Sequence, residues 1–195
     1  MRLGPEDRSQ PWRGDARLIA SVVAVILATA LIPGCSDDDG GSEPVIERPQ
    51  DLLPPGTETM VADGDPRIAT DASGLQEIVN GGYETYTNHG FQELAEQKYN
   101  GQVGEADGVG TTIWIFDMGS GENAAELQVE LTREGPWQES DQFGAEEHRL
   151  RSSNSQTILF RLETYSVRLV IGNGSNDAEV LLELFAEHIE GEILN

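Results

Sequence analysis

Few side chains in this sequence have chemistry to offer, and they are scattered. There are three histidines. His89 stands near a predicted helix end, where the helix dipole favours it. His148 follows Glu146-Glu147 on a strand that looks exposed, and His188 falls on the apolar stripe of a helix, a packing position. No two have metal-ligand spacing, and there is no HExxH. No Gly-x-Ser-x-Gly elbow occurs. Gly108-Val109-Gly110-Thr111-Thr112 is like the end of a phosphate loop, but it lacks the Lys and precedes a strand, which favours a hairpin loop. Asp37-Asp38-Asp39-Gly40 would open a calcium loop, yet Arg48 occupies the position that needs a bidentate carboxylate. Asp117 is the best single carboxylate for acid–base work, because it closes an apolar strand and is expected to be partly buried. It also stands just before a helix, and accepting free amides there as a cap or turn is the favoured role. Hydrolysis through Asp117 would need a second carboxylate close by in a cleft. Trp114, Tyr83 and Tyr86 could line a ligand pocket, although aromatics are scarce and most are expected in the core. No cofactor motif is present, so none is expected.

Cys35 is the only cysteine, which excludes an internal disulfide and a thiolate metal cluster. Arg2, Arg8, Arg13 and Arg17 precede a 15-residue apolar run, Leu18–Ile32. As a helix that run spans about 22 Å, short of the roughly 30 Å hydrocarbon core of a bilayer. It suits a signal peptide better than a membrane span. Pro33-Gly34 then breaks the helix. Ile32, Gly34 and Cys35 resemble the lipobox of bacterial lipoproteins, with Pro33 where Ala or Ser is usual. The resemblance implies cleavage before Cys35, a diacylglyceryl thioether on its sulfur and a further acyl chain on its new amino group. Several chains anchor stably where one is marginal. An uncleaved anchor is the alternative. Ser36, rather than Asp, after the Cys favours the outer membrane if the host has two.

The formal net charge is −23. The four leader arginines face Glu6, Asp7 and Asp15, so the part after Gly34 holds 8 basic and 32 acidic groups. Such a surface repels nucleic acid and leaves divalent cations as weak, loose partners. Lys98 is the only lysine among twelve basic residues, which fits salt adaptation or a GC-rich genome.

Three segments follow: a signal peptide (1–34), an acidic Gly/Pro-rich tether (35–69) too polar to order itself, and one domain (70–195). Within the domain, Leu75, Ile78 and Val79 predict a short helix, and Tyr83, Tyr86 and His89 another, closed by Gly90. Phe91–Tyr99 reads as a partly exposed strand and Asn100–Gly110 as a polar loop. In Thr111–Met118, Ile113 and Ile115 alternate with Trp114, Phe116 and Met118, so both faces are apolar and the strand is central. Ser120 is expected to cap a helix carrying Ala124, Leu127 and Leu131. Strands are predicted near Ala145–Arg151, Gln156–Leu162 and Tyr165–Ile171, joined by tight turns. A last helix opens with Asn176 and Glu179 at capping-box spacing, carries Leu181, Leu184, Phe185 and His188 on one stripe flanked by Leu182 and Ile189, and stops at Gly191. The sum is an α+β domain, a mostly antiparallel sheet of about five strands with packed helices.

The landmarks Gly82-Tyr83, Tyr86, Gly90-Phe91 and Phe116-Asp117-Met118-Gly119-Ser120, then a closing hairpin and helix, are similar to an uncharacterised family of bacterial domains often found on exported proteins. The likeness runs from about Leu75 to Ile193; Ala124-Ala125-Glu126 departs from it, and it implies no activity. The expectation for function is a membrane-tethered envelope lipoprotein whose domain binds an envelope protein or small ligand. A carboxylate-dependent hydrolase using Asp117 and a passive acidic spacer are the alternatives. The binding reading requires a concave or apolar patch on the domain.

Overall fold

A computed structural model describes residues 48–195. Cys35, the expected signal peptide and the first part of the expected tether lie outside the described residues. The elements in chain order are β1 (Met60–Ala62), β2 (Arg67–Ala69), α1 (Ala72–Val79), α2 (Tyr83–Asn88), β3 (Glu93–Val103), β4 (Ala106–Asp117), α3 (Gly121–Thr132), β5 (Gln138–Ser140), β6 (Glu146–Arg151), β7 (Gln156–Leu162), β8 (Tyr165–Ile171) and α4 (Asn176–Ile193). The strands make one open sheet in the order β1-β3-β4-β8-β7-β6-β5, and β2 pairs with a second stretch of β3. Every pairing is antiparallel. The α+β class is as expected, with eight strands instead of about five; the additional ones are the three-residue strands β1, β2 and β5. No helix among the described residues is long and apolar enough to cross a membrane.

Strand alternation divides the apolar side chains between two faces. Ile113, Ile115, Ile158, Phe160, Val167 and Leu169 point to one face. There α4 covers them with Leu181, Leu182, Phe185 and Ile189, interleaved with the small Ala178 and Ala186. The other face carries Leu94, Phe116 and Met118, covered by Leu75 of α1, Tyr86 of α2, and Ala124 and Leu127 of α3. Helices thus lie on both sides of the sheet, and β4 is covered on both faces as its sequence requires.

Local signals set the helix ends. Asp71 Oδ1 accepts the Gly74 amide at 2.8 Å, starting α1, and Asn80 ends it in the left-handed conformation. Gly90 closes α2 with φ 80°, where a Cβ would also collide with the Asn123 side chain. Ser120 caps α3 by accepting the Asn123 amide at 3.2 Å. The cap of α4 is Ser175, which accepts from Ala178 N, so Asn176 is the first helical residue rather than the cap. That helix also runs through Gly191 to Ile193.

Other expectations are corrected. Residues 48–69, read as tether, are folded: Leu52 and Met60 are fully buried, and β1 and β2 pair with β3. The polar stretch Asn100–Gly110 is almost all strand, because β3 and β4 continue pairing out to a tight turn at Gly104-Glu105. Gly104 supplies the positive φ, 58°, that a two-residue hairpin turn needs at its first position. Leu184 is 52% exposed, and the buried stripe of α4 sits one position away from the one predicted.

Candidate functional site

Row-by-row pairing across the sheet places a polar series on the face covered by α1–α3. Arg67 of β2 lies opposite Glu96 of β3, Glu96 opposite Trp114 of β4, Trp114 opposite Arg168 of β8, and Arg168 opposite Leu159 of β7. Glu96 is buried and fully engaged. It accepts from Trp114 Nε1 at 2.8 Å and Arg67 Nη1 at 3.2 Å, with Lys98 Nζ at 3.9 Å. A charge-assisted bond of this kind fixes the indole plane. The Arg168 guanidinium lies over that indole, 5.5 Å from the ring centroid, a cation–π contact worth about 0.5–2 kcal/mol depending on desolvation. Tyr86 comes down from α2 and stacks on Phe116 with ring centroids 4.3 Å apart and planes 16° from parallel.

Together these side chains wall a cavity of about 70 Å³, lined by Ile78, Val79, Tyr86, Trp114, Phe116 and Arg168. Burial pushes the Tyr86 phenol above its ordinary range, while the neighbouring Arg168 pulls it partway back. The Arg168 Nε is buried and has no hydrogen-bond partner. Apolar walls with a few convergent polar groups are what a small-ligand site requires.

Of the residues singled out from sequence, Trp114 and Tyr86 meet in this cavity. Tyr83 belongs to the same apolar cluster without lining the cavity. Asp117 is elsewhere, at the end of β4. Its Oδ1 accepts the Gly119 amide at 2.8 Å, closing the turn that leads to the Ser120 cap. Glu93 is its cross-strand neighbour, but Arg48 holds that carboxylate through Nε and Nη2, the shortest contact 2.6 Å. Asp117 does not line the cavity walled by Trp114 and Tyr86. Its geometry is that of a turn former. Gly108-Val109-Gly110-Thr111-Thr112 lies within β4, not in a loop.

The histidines stay apart. His89 Nδ1 is 2.6 Å from the Thr85 carbonyl at the end of α2, and His188 is half-buried on α4. His148, expected to be exposed, is 7% exposed. Its Nε2 lies 3.1 Å from Glu146 Oε1, and Glu146 Oε2 takes Arg161 Nε at 3.0 Å. Charges on this strand satisfy one another, so polarity did not signal exposure. Among the described residues no three potential ligands cluster as a metal site would require.

Burial raises the Glu146 carboxyl, but hydrogen bonds from His148 and Arg161 outweigh it and hold the group below its ordinary 4.5. A carboxyl depressed by folding stabilises the native state above its unfolded value, and that contribution disappears as pH falls through the folded value. Glu146→Gln is therefore expected to lower the urea midpoint at pH 7 and to flatten the loss of stability below about pH 4.5. Urea titrations from pH 7 to pH 3 measure both; parallel curves for the two proteins would refute the assignment.

Arg168 is the functional candidate that pattern reasoning missed. The signal was a lone charge inside Tyr165–Ile171, on the face opposite the apolar one of a strand that proves to be central. On the other side of the sheet, two larger open hollows flank Val180 and Leu184 of α4. One, about 310 Å³, lies against the β3–β4 turn; the other, about 380 Å³, bears Glu183, Glu187 and Glu190. Both are wider open than the smaller cavity, which brings two aromatic side chains and a guanidinium together. In comparisons with known proteins, no family model, no curated protein and no solved structure matches this chain.

Proposed function

We propose that this protein is a lipid-anchored envelope lipoprotein whose domain binds a small ligand in the cavity beneath α1 and α2. The observation that carries the binding half is the meeting of Trp114, Tyr86 and a guanidinium without a carboxylate partner around one cavity. Stacked rings and a fixed indole preorganise the walls, so little side-chain entropy is lost when a ligand enters. The anchoring half rests on the lipobox-like Ile32-Pro33-Gly34-Cys35 behind an apolar run. Ser36 favours the outer membrane in a host that has two.

A protein partner is the second reading, favoured by Val180 and Leu184, which are 56% and 52% exposed on α4 between two hollows.

The test has two arms. Metabolic labelling with a radioactive fatty acid in a bacterial host should mark the wild-type chain and place it in the membrane fraction, while Cys35→Ser should be unlabelled and released. An unlabelled wild type removes the anchor. Native mass spectrometry of protein released gently from its own membranes should show a reproducible small adduct that Trp114→Ala loses. An adduct that survives Trp114→Ala moves the ligand to another site, and a bound protein chain instead supports the second reading.

A further inference from the structure

Among the described residues carboxylates far outnumber cations, yet one cation holds none at ion-pair distance. Among the described residues, every other arginine and the single lysine hold a carboxylate at ion-pair distance. Arg168 holds none. The sheet explains why: its cross-strand neighbours are Trp114 and Leu159, and the next carboxylate in the row, Glu96, lies beyond Trp114 and is already taken. Two strand spacings separate Glu96 from Arg168 in that row, roughly 10 Å. A half-buried guanidinium without a counter-charge is costly, and the face of one indole offsets only part of that cost.

We infer that this cavity takes a single carboxylate borne on a short apolar stem, with Arg168 pairing the anion and Ile78, Val79 and Phe116 enclosing the stem. The inference rests on the reading of the cavity as the ligand site. The guanidinium lies over the Trp114 ring and also hydrogen-bonds the Tyr86 hydroxyl, and its buried Nε has no partner, which leaves donor capacity for a carboxylate in the planar geometry that Arg prefers. Tyr86 adds a neutral phenol whose O–H can donate to the second carboxylate oxygen. Size limits the stem. A cavity near 150 Å³ accepts benzene, so the 70 Å³ present here suits a carboxylate with one to three carbons. Charge limits the anion. With 32 acidic groups against 8 basic ones after Gly34, each further negative charge on the ligand is repelled by the protein's own field. A monocarboxylate is favoured over phosphate or a dicarboxylate on that ground.

The experiment is ligand-observed NMR on the full chain in detergent: saturation transfer to sodium propionate and to its neutral isostere propionamide, and phosphorus line broadening for inorganic phosphate. Propionate should bind, propionamide should bind at least tenfold more weakly, and the phosphate line should stay sharp and phosphate should not displace propionate. Arg168→Gln should weaken propionate at least tenfold and bring it level with propionamide. If Arg168→Gln does not fold, Tyr86→Phe supplies the variant and should weaken propionate severalfold, leaving propionamide little changed. Equal binding of propionate and propionamide overturns the carboxylate while leaving a ligand cavity. Binding of phosphate in place of propionate overturns the monocarboxylate. No binding by any probe, with the protein folded, overturns this inference, while loss of the native adduct in Trp114→Ala separately decides the cavity as the ligand site.

Discussion

A chain that begins at Thr70 is expected not to fold, whereas one that begins at Arg48, which keeps every described element, should unfold cooperatively. The deleted stretch is rich in Pro, Gly and Asp, but it supplies two fully buried side chains, Leu52 and Met60. Removing one buried Leu or Met side chain down to Ala typically costs about 2–5 kcal/mol. Losing both approaches or exceeds the lower end of the roughly 5–15 kcal/mol that holds a domain together. The loss extends further. The Tyr99 hydroxyl donates to the Pro54 carbonyl at 2.6 Å, and without that acceptor a phenol packed 4.9 Å from Phe185, centroid to centroid, loses its hydrogen bond inside the core. The outer edge of β3 loses β1 and β2 together. Near-ultraviolet circular dichroism and urea titration of the two truncations decide the matter. A native-like, cooperative protein starting at Thr70 would show that residues 48–69 only decorate the fold. Leu52→Ala and Met60→Ala in the intact chain should each cost about 2–5 kcal/mol.

Glu147→Ala should be among the most damaging single substitutions, at about 3–5 kcal/mol, or a fall in Tm of roughly 10 °C for a domain of this size. Glu147 is 1% exposed. One carboxylate oxygen accepts the Gln142 amide at 2.9 Å and the Phe143 amide at 3.1 Å, while the other accepts Arg149 Nε at 2.6 Å. It therefore ties the loop after β5 to the sheet and seats Phe143 against Phe160, 6.1 Å away between centroids. Alanine leaves two amides without acceptors, one of them buried. Arg149 itself keeps Glu183 at 2.7 Å and Gln142 Oε1 at 2.8 Å, so most of the penalty belongs to the amides rather than to a stranded cation. Glu147→Gln retains an acceptor for the amides and should lose clearly less than alanine. Urea midpoints of the two variants measure the difference; equal losses would show that the charge, not the amide acceptor, is what matters there.

The second half of the domain was far more legible than the first. The predicted strands at Ala145–Arg151, Gln156–Leu162 and Tyr165–Ile171 match β6, β7 and β8 to within a residue, because each is long enough to show alternation and is bounded by a turn signal. β1 and β2 have three residues each, too few for a period, and they are ordered by pairing with β3 rather than by their own propensity. α4 was placed correctly as an element but rotated slightly, because Ala178 and Ala186 carry part of its buried face and a count of large apolar residues passes over them. At the cavity, sequence identified Trp114 and Tyr86 as aromatics with something to line. It did not identify Arg168, since the register that sets it beside Trp114 joins two segments more than fifty positions apart.

An open sheet has two edges, and each is a template on which a neighbouring molecule can add a strand. Here one edge is β5, three residues long and carrying Glu139, and the other is split between β1 and β2. Neither offers the long, flat, apolar ladder that cross-chain pairing needs. Copies crowded together on one surface would accordingly remain separate molecules instead of zipping into ribbons, and the domain would stay colloidally stable at densities where a longer free edge would nucleate aggregates.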